Sequence, residues 1–482
     1  MEIRRNRVRG IVGNGIGVDR VPGAIVAGNT VEGNAVGLYF RSTAALPALD
    51  SSFHCNNVVN NDVGAANASD DGRLMDALFN WWGDARGPSG SGFGAGDPVG
   101  AGVEFAPWLV ARSVGPHCEA TAATLSGEAP AIASISFVSP AGISLSDGGL
   151  AQEGAEIPLG VVVADFESDQ LVVYLGRGDG TFRRFKSYAV GDGPVALAVS
   201  DVDRDGRTDV VVANLLSDSL SIAYGNGDGT FERIVQVPVI GKRPRSVAMG
   251  DFNRDGHLDV VVANAESNDL ALLFGRADRR LAQGGIIPIL RGKGPSAVVA
   301  VDINRDGVLD LAVAHSLSNN VVLLLGNGRG GFREVGELAV DAGPVALTAA
   351  DLNGDGWVDL ASANANAGSV SLLLSSGEGA RFFRQDVFVG QTPLSIVSGV
   401  FIGNASGLAV ANFAEGTVSL IAPRTVRSFA PVTLLRAVAE PASLASGDFN
   451  GDGLLDIAVL GIVRRDPVAL VNVGGGRFQL AK

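Results

Sequence analysis

Cysteine is nearly absent: Cys55 and Cys118 are the only two in 482 residues. Two thiols make neither a disulfide framework nor a zinc-ligand spacing. One disulfide or two free thiols both remain open. Histidine is as scarce, at four residues. His54 and His117 each precede a cysteine, but neither pair lies in a nucleophile or zinc motif. No phosphate loop or dinucleotide fingerprint occurs, so no residue is assigned a catalytic role. Apolar runs are too short to span a bilayer, and no amphipathic helix pattern exceeds about three turns. The opening "MEIRRNRVRG" has no apolar stretch behind its basic residues, so it is not a signal peptide of the usual form. Basic charge is also short. The formal net charge is −14, and no basic stripe offsets it, which excludes nucleic acid as the main partner.

What the chain has is glycine, 66 residues of it, and 46% apolar residues with only 18% charged. That composition predicts many turns, large cores and few long helices. Much of the acidity is concentrated in one recurring stretch. "DVDRDGRTDVVVAN" starts at Asp201 and returns as "DFNRDGHLDVVVAN" from Asp251, "DINRDGVLDLAVAH" from Asp302, "DLNGDGWVDLASAN" from Asp351 and "DFNGDGLLDIAVL" from Asp448. The first half fits an EF-hand loop, but Val212 stands where the bidentate Glu belongs, and a strand follows in place of the exiting helix. The same objection removes a dockerin reading, which also attaches such loops to helices.

Proline sets the frame. Pro194, Pro244, Pro295, Pro344 and Pro441 each stand seven residues before a starting aspartate. Pro393 falls midway in the long gap and is followed by "VFIGNASGLAVAN", which keeps the strand ending at Asn412 and loses the acids. Pro140 marks a further unit, of which Asp147 is the only acid left in the loop frame. Seven units of about 49 residues thus fill 140–482, each reading as four short strands. Proline suits the first residue of a strand, where its missing N–H matters least. Four strands repeated seven times predict a seven-bladed β-propeller, with an open solenoid as the rival.

The "D-x-[DN]-x-D-G-x-x-D" loops within seven such units resemble FG-GAP/VCBS repeats, the propeller units of integrin α-subunits and of many bacterial surface and secreted proteins. The resemblance covers about 140–482. It implies that each loop binds calcium between two strands of one blade. The residues agree with that chemistry. Calcium takes six to eight oxygen ligands, and alternating side chains bring positions 1, 3 and 5 together. Glycine at position 6 gives the turn, position 7 offers its carbonyl, and the acid at position 9 closes the shell. The expected ligands are Asp201, Asp203, Asp205 and Asp209; Asp251, Asn253, Asp255 and Asp259; Asp302, Asn304, Asp306 and Asp310; Asp351, Asn353, Asp355 and Asp359; and Asp448, Asn450, Asp452 and Asp456. Five Ca²⁺ would add +10 and bring the formal net charge from −14 to −4. Asx turns without metal are the alternative, and magnesium a weaker one, because it keeps its waters. The sixth unit has Val400, Ile402, Asn404 and Leu408 at the ligand positions and is expected to bind none.

Two other motifs are set aside. Arg177, Gly178 and Asp179 spell RGD, but they align with the turn "GNGDGTF" of the next unit. Lys242, Arg243 and Arg245 fall in an expected connection between blades.

Residues 1–112 differ. Asn14, Asn34 and Asn61 share an N-x-[IV]-G frame, and "FNWWGDARGPSG" follows. These short strands with recurring asparagine resemble the C-terminal end of a right-handed parallel β-helix of pectate-lyase-like and NosD-like proteins, with Trp81, Trp82 and Trp108 capping the last coil. A Gly/Asn-rich sandwich is the alternative. Residues 113–139 read as a linker. Because a solenoid needs an N-terminal cap, the chain is expected to be the C-terminal part of a longer protein or the product of an incompletely delimited gene. The whole is therefore expected to be all-β: a partial right-handed parallel β-helix, then the propeller. The expected role is non-catalytic and extracellular, binding a protein or glycan ligand with about five Ca²⁺. The alternatives are an accessory module of a polysaccharide-degrading enzyme and a structural spacer.

Overall fold

A computed structural model of the chain describes residues 159–481 apart from 378–380, 404, 426–427, 430–432, 437 and 463–465; before residue 159 it describes backbone strands only. The chain divides into two compact units, Met1–Glu128 and Ala129–Lys482.

In the first unit, short strands pair in parallel. Ile25–Ala27 lies between Glu2–Arg4 and Ser52–His54, and Thr30–Glu32 between Arg7–Arg9 and Asn57–Val59. Val36–Arg41 lies between Asn14–Asp19 and Val63–Asn67. The asparagine ladder, the tryptophan cap and the pairing of Cys55 with Cys118 fall outside the described residues.

The second unit holds seven four-stranded antiparallel sheets, each taken from one stretch of chain, and a two-stranded hairpin, Pro423–Thr425 with Ser428–Phe429, within the sixth. The second sheet is typical, with strands Pro194–Ser200, Asp209–Asn214, Ser219–Gly225 and Phe231–Pro238. The first strand of each sheet lies against the first strands of its two neighbours, and the run closes where Pro441–Gly447 meets Ala131–Ile135. This closure makes a seven-bladed propeller and excludes the open solenoid. Apolar side chains of the first and last blades share one cluster, including Val161, Tyr174, Phe449 and Leu460. The Tyr174 hydroxyl also donates to Asp466 Oδ1 at 2.9 Å.

The sequence pattern explains the blade. Second strands such as "DVVVAN" are buried at all six positions, because each is packed on both faces by adjoining blades. They therefore read as continuous apolar runs, without alternation. Fourth strands form the rim and are largely exposed or half-buried. The framing prolines sit at a register shift, as at Pro194/Ala196 and Pro244/Ser246, where no ladder hydrogen bond is required of them.

The first blade departs from the expected frame. Its first strand is Ala131–Ile135, paired with Gly160–Asp165, so the expected linker 113–139 contains a blade strand and the frame's Pro140 comes after it. The long stretch 136–159 stands where other blades have the short acidic loop, and no local signal marks a pairing across such a distance.

One buried group breaks the pattern. The second strand ends in a fully buried asparagine at Asn214, Asn264, Asn364 and Asn412. These donate to the third strand or to the preceding connection, as Asn214 Nδ2 does to Ser221 Oγ at 3.0 Å. In the fourth blade His315 takes this place, fully buried, with neither ring nitrogen hydrogen-bonded. Burial pushes its pKa down to about 4. The unfolded chain takes up this proton near 6.5 and the folded chain only near 4, so folding stability falls as pH drops through that window. The loss is of order 3 kcal/mol. His315→Asn should remove this loss, so that urea unfolding shows the variant gaining on the wild type by about that amount as pH falls from 6.5 to 4.

Candidate metal centre

Each acidic loop joins the first and second strands of a blade, and the five share one hydrogen-bond scheme. The position 1 carboxylate turns inward and accepts from the position 6 amide: Gly206, Gly256, Gly307, Gly356 and Gly453 each donate at 2.8 Å. The side-chain oxygen at position 3 accepts from the position 5 amide, at 3.2 Å for Asp203 and 2.9 Å for Asn253. Position 5 accepts from position 7, as Asp205 does from Arg207 N at 2.9 Å. Glycine at position 6 is in the left-handed region in all five, for example φ 84° at Gly206, a conformation L-residues avoid. Asx turns thus occur in all five loops.

Position 9 behaves differently from the expectation of a residue that only closes a metal shell. Asp209, Asp259, Asp310, Asp359 and Asp456 are fully buried. Each accepts two backbone N–H groups, one from its own loop and one from the end of the third strand. For Asp209 these are Val202 N at 2.9 Å and Gly225 N at 2.8 Å; for Asp359, Leu352 N at 3.0 Å and Ser375 N at 2.7 Å. The acid therefore clasps three chain segments. Burial, outweighing these hydrogen bonds, pushes Asp209, Asp259 and Asp359 up to about 6 and raises Asp310 and Asp456 as well. A nearby cation would relieve that cost of burying a charge. Sequence reasoning missed the clasp, although an acid heading a wholly apolar strand already marks a buried polar anchor.

The first loop meets a direct test of fit to a hard cation. Carboxylate oxygens of Asp201, Asp203 and Asp209 all lie within 4.8 Å of one another. The buried Oδ2 of Asp203 has no hydrogen-bond partner. Oxygen-only donors at this spacing suit Ca²⁺. In the other four loops asparagine supplies the position 3 oxygen. The sixth blade closes differently: Pro393–Ile402 runs on into a tight hairpin in which Ile402 pairs with Ala405. Asp147, in the first blade's frame, lies outside the described residues.

The RGD tripeptide is the ordinary turn of the repeat. Asp179 Oδ1 accepts from Thr181 N at 2.8 Å and its hydroxyl at 2.6 Å, as Asp228 does from Thr230. The basic connection between the second and third blades is tied down by Lys242 Nζ on Asp218 Oδ2 at 2.6 Å.

This arrangement defines a class. Residues 159–212, 201–262, 251–313 and 302–362 match the family model of the FG-GAP-like repeat. The first match starts at the second strand of its blade and the other three at the acidic loop before it, and each ends in the second strand of the next blade. The chain is thus a seven-bladed propeller carrying FG-GAP-like repeats. No curated protein matches it. Among solved structures it is similar in fold to a candidate 6-phosphogluconolactonase from Bacteroides uniformis, at 15% identity and TM-score 0.50, covering 64% of this chain and 90% of that one. A protein from Lactobacillus plantarum has 16% identity and TM-score 0.49, with 73% and 96% covered. The periplasmic gluconolactonase of Pseudomonas aeruginosa has 17% identity and TM-score 0.48, with 65% and 98% covered. At these identities the likeness is one of fold, and fold alone does not carry activity.

Among the described residues no helix is long and apolar enough to cross a membrane.

Proposed function

We propose that this chain is a non-catalytic, calcium-stabilised propeller that binds a protein or glycan outside the cell. The observation that carries the reading is the fivefold loop scheme, together with the carboxylates of Asp201, Asp203 and Asp209 that converge in the first loop. Asp201, Asp203, Asp205 and Asp209, and their counterparts in the loops from Asp251, Asp302, Asp351 and Asp448, hold the ions. The ions supply positive charge to buried carboxylates and so fix the first two strands of each blade. Loops with three carboxylates and an exposed position have calcium affinities of extracellular modules, about 10⁻⁴–10⁻³ M. Sites of that strength fill where calcium is abundant, outside the cytoplasm.

The first unit is read as the end of a right-handed parallel β-helix. Its support is the in-line parallel pairing of successive short strands about one coil apart. That pairing also favours the second reading, an accessory module of a polysaccharide-degrading enzyme.

A glycan array probed with the full chain separates these readings. Binding that is lost on adding EGTA supports the calcium-dependent binding module. Turnover of a polysaccharide by the chain would contradict a non-catalytic role. Nanomolar calcium affinity would remove the basis for placing it outside the cell.

A further inference from the structure

Two departures from the repeat, far apart in sequence, meet in space at the first loop. In four loops position 3 is asparagine, and its Nδ2 donates to the position 5 carboxylate at 2.9–3.0 Å. In the first loop it is Asp203, which has no such proton to give. The second departure lies in the turn between the third and fourth strands of the third blade. The aligned position of this turn is glycine in the first, second and fourth blades: Gly180, Gly229 and Gly330, at φ 83°, 84° and 77°. Two of these dock on the preceding blade, Gly180 N on Phe449 O at 3.2 Å and Gly330 N on Phe252 O at 2.9 Å. The third blade has Arg279 there, still at φ 63°, a conformation unfavourable for any residue with a Cβ.

The arginine's backbone carbonyl accepts the Tyr224 hydroxyl of the second blade. Its guanidinium enters that blade's acidic loop. Nη1 lies 3.2 Å from Asp203 Oδ2, and Nη2 lies 3.8 Å from Asp205 Oδ2. The Asp203 side chain is only 1% exposed, and its Oδ2 makes no hydrogen bond. The contact is therefore one of charge. Arg207 Nε adds a hydrogen bond to Asp205 Oδ2 at 3.0 Å.

We propose that Arg279 is a built-in counter-cation of the 201–209 loop, competing with the divalent ion for Asp203, so that this loop fills last of the five. The competition rests on the calcium reading above. By charge alone, the loop with four carboxylates would be the tightest site, since ligand charge raises calcium affinity. The tethered guanidinium reverses that order. Filling the loop then releases the third blade's turn from the second blade's carboxylates, which makes this one junction between blades sensitive to calcium.

The test uses the full chain in four forms: wild type, Arg279→Gly, Asp203→Asn and the double variant. Calcium titration of the wild type should show one site weaker than the rest. Arg279→Gly should tighten that site about tenfold or more, within the usual range of coupling between sites, and leave the others alone. Unchanged or weakened binding overturns the competition. Thermal unfolding in EGTA reads the pair without calcium. Arg279→Gly also restores the glycine of the repeat and relieves the backbone, so on its own it should raise the midpoint. A counter-cation predicts the opposite: a lower midpoint when Asp203 is present, and no drop in the Asp203→Asn background. Additive midpoints overturn the pairing. Five bound ions with no response to Arg279→Gly overturn the competition alone, whereas no bound ion in any variant overturns the calcium reading itself.

Discussion

Asp359→Ala is expected to lower folding stability by about 2–6 kcal/mol, one of the largest effects open to a single loop residue. The carboxylate is fully buried and holds Leu352 N and Ser375 N. Removing it leaves two buried amides without partners, each costing about 1–3 kcal/mol. Typical domain stabilities are about 5–15 kcal/mol, so the variant sits near the threshold for folding. Asp359→Asn keeps an acceptor oxygen and should lose less. Asp355→Ala, exposed and accepting mainly from the next turn of its own loop, should cost only about 0.5–1.5 kcal/mol in EGTA. Urea unfolding of the three variants in EGTA checks the ranking. Equal small losses at Asp355 and Asp359 would show that the clasp does not hold the blade.

Calcium should raise the thermal midpoint of the propeller, and chelation should lower it. The unfolded chain has no preformed site, so binding free energy adds to folding free energy. One site contributes RT ln(1 + [L]/Kd), about 2.7 kcal/mol when calcium stands at 100 Kd. Several sites on one closed ring would supply much of a typical stability. Asp205→Ala should act as partial chelation, since it removes a central oxygen from one loop. Asn404→Ala, in the stretch that has lost its acids, should change nothing. Thermal unfolding in excess calcium and then in EGTA compares them. An EGTA midpoint equal to the calcium midpoint would make any bound ion incidental to the fold.

Much of the propeller was legible in the sequence because its signals are local and repeated. A proline, an acidic loop and a buried apolar strand recur in one register, so even the sixth unit could be found without its acids. Its structure shows why the acids could go: Ile402 and Ala405 close the hairpin by backbone pairing instead. The first blade was less legible, since Ala131–Ile135 pairs across residues 136–159 with no loop motif between them. The loop residues were readable as a ligand set, but their second roles were not. The Asp209 clasp reaches Gly225 through the third strand, a contact that exists only once the sheet has formed. Arg279 departs from the glycine of the aligned turns, a signal the sequence reading did not pick up. Its partner, Asp203, lies on another blade, and only the closed ring brings the two together.

The central claim is that five loops, and only five, were built around a cation. Equilibrium dialysis of the EGTA-stripped full chain against saturating millimolar calcium, with bound ion read as the excess on the protein side, tests it most directly. The account predicts about five Ca²⁺ per chain, one for each of the loops starting at Asp201, Asp251, Asp302, Asp351 and Asp448, and four in Asp359→Ala protein that remains folded. Seven ions would mean that the sixth loop and the first blade's frame bind without their acids, and none would mean that the shared scheme is only a set of Asx turns.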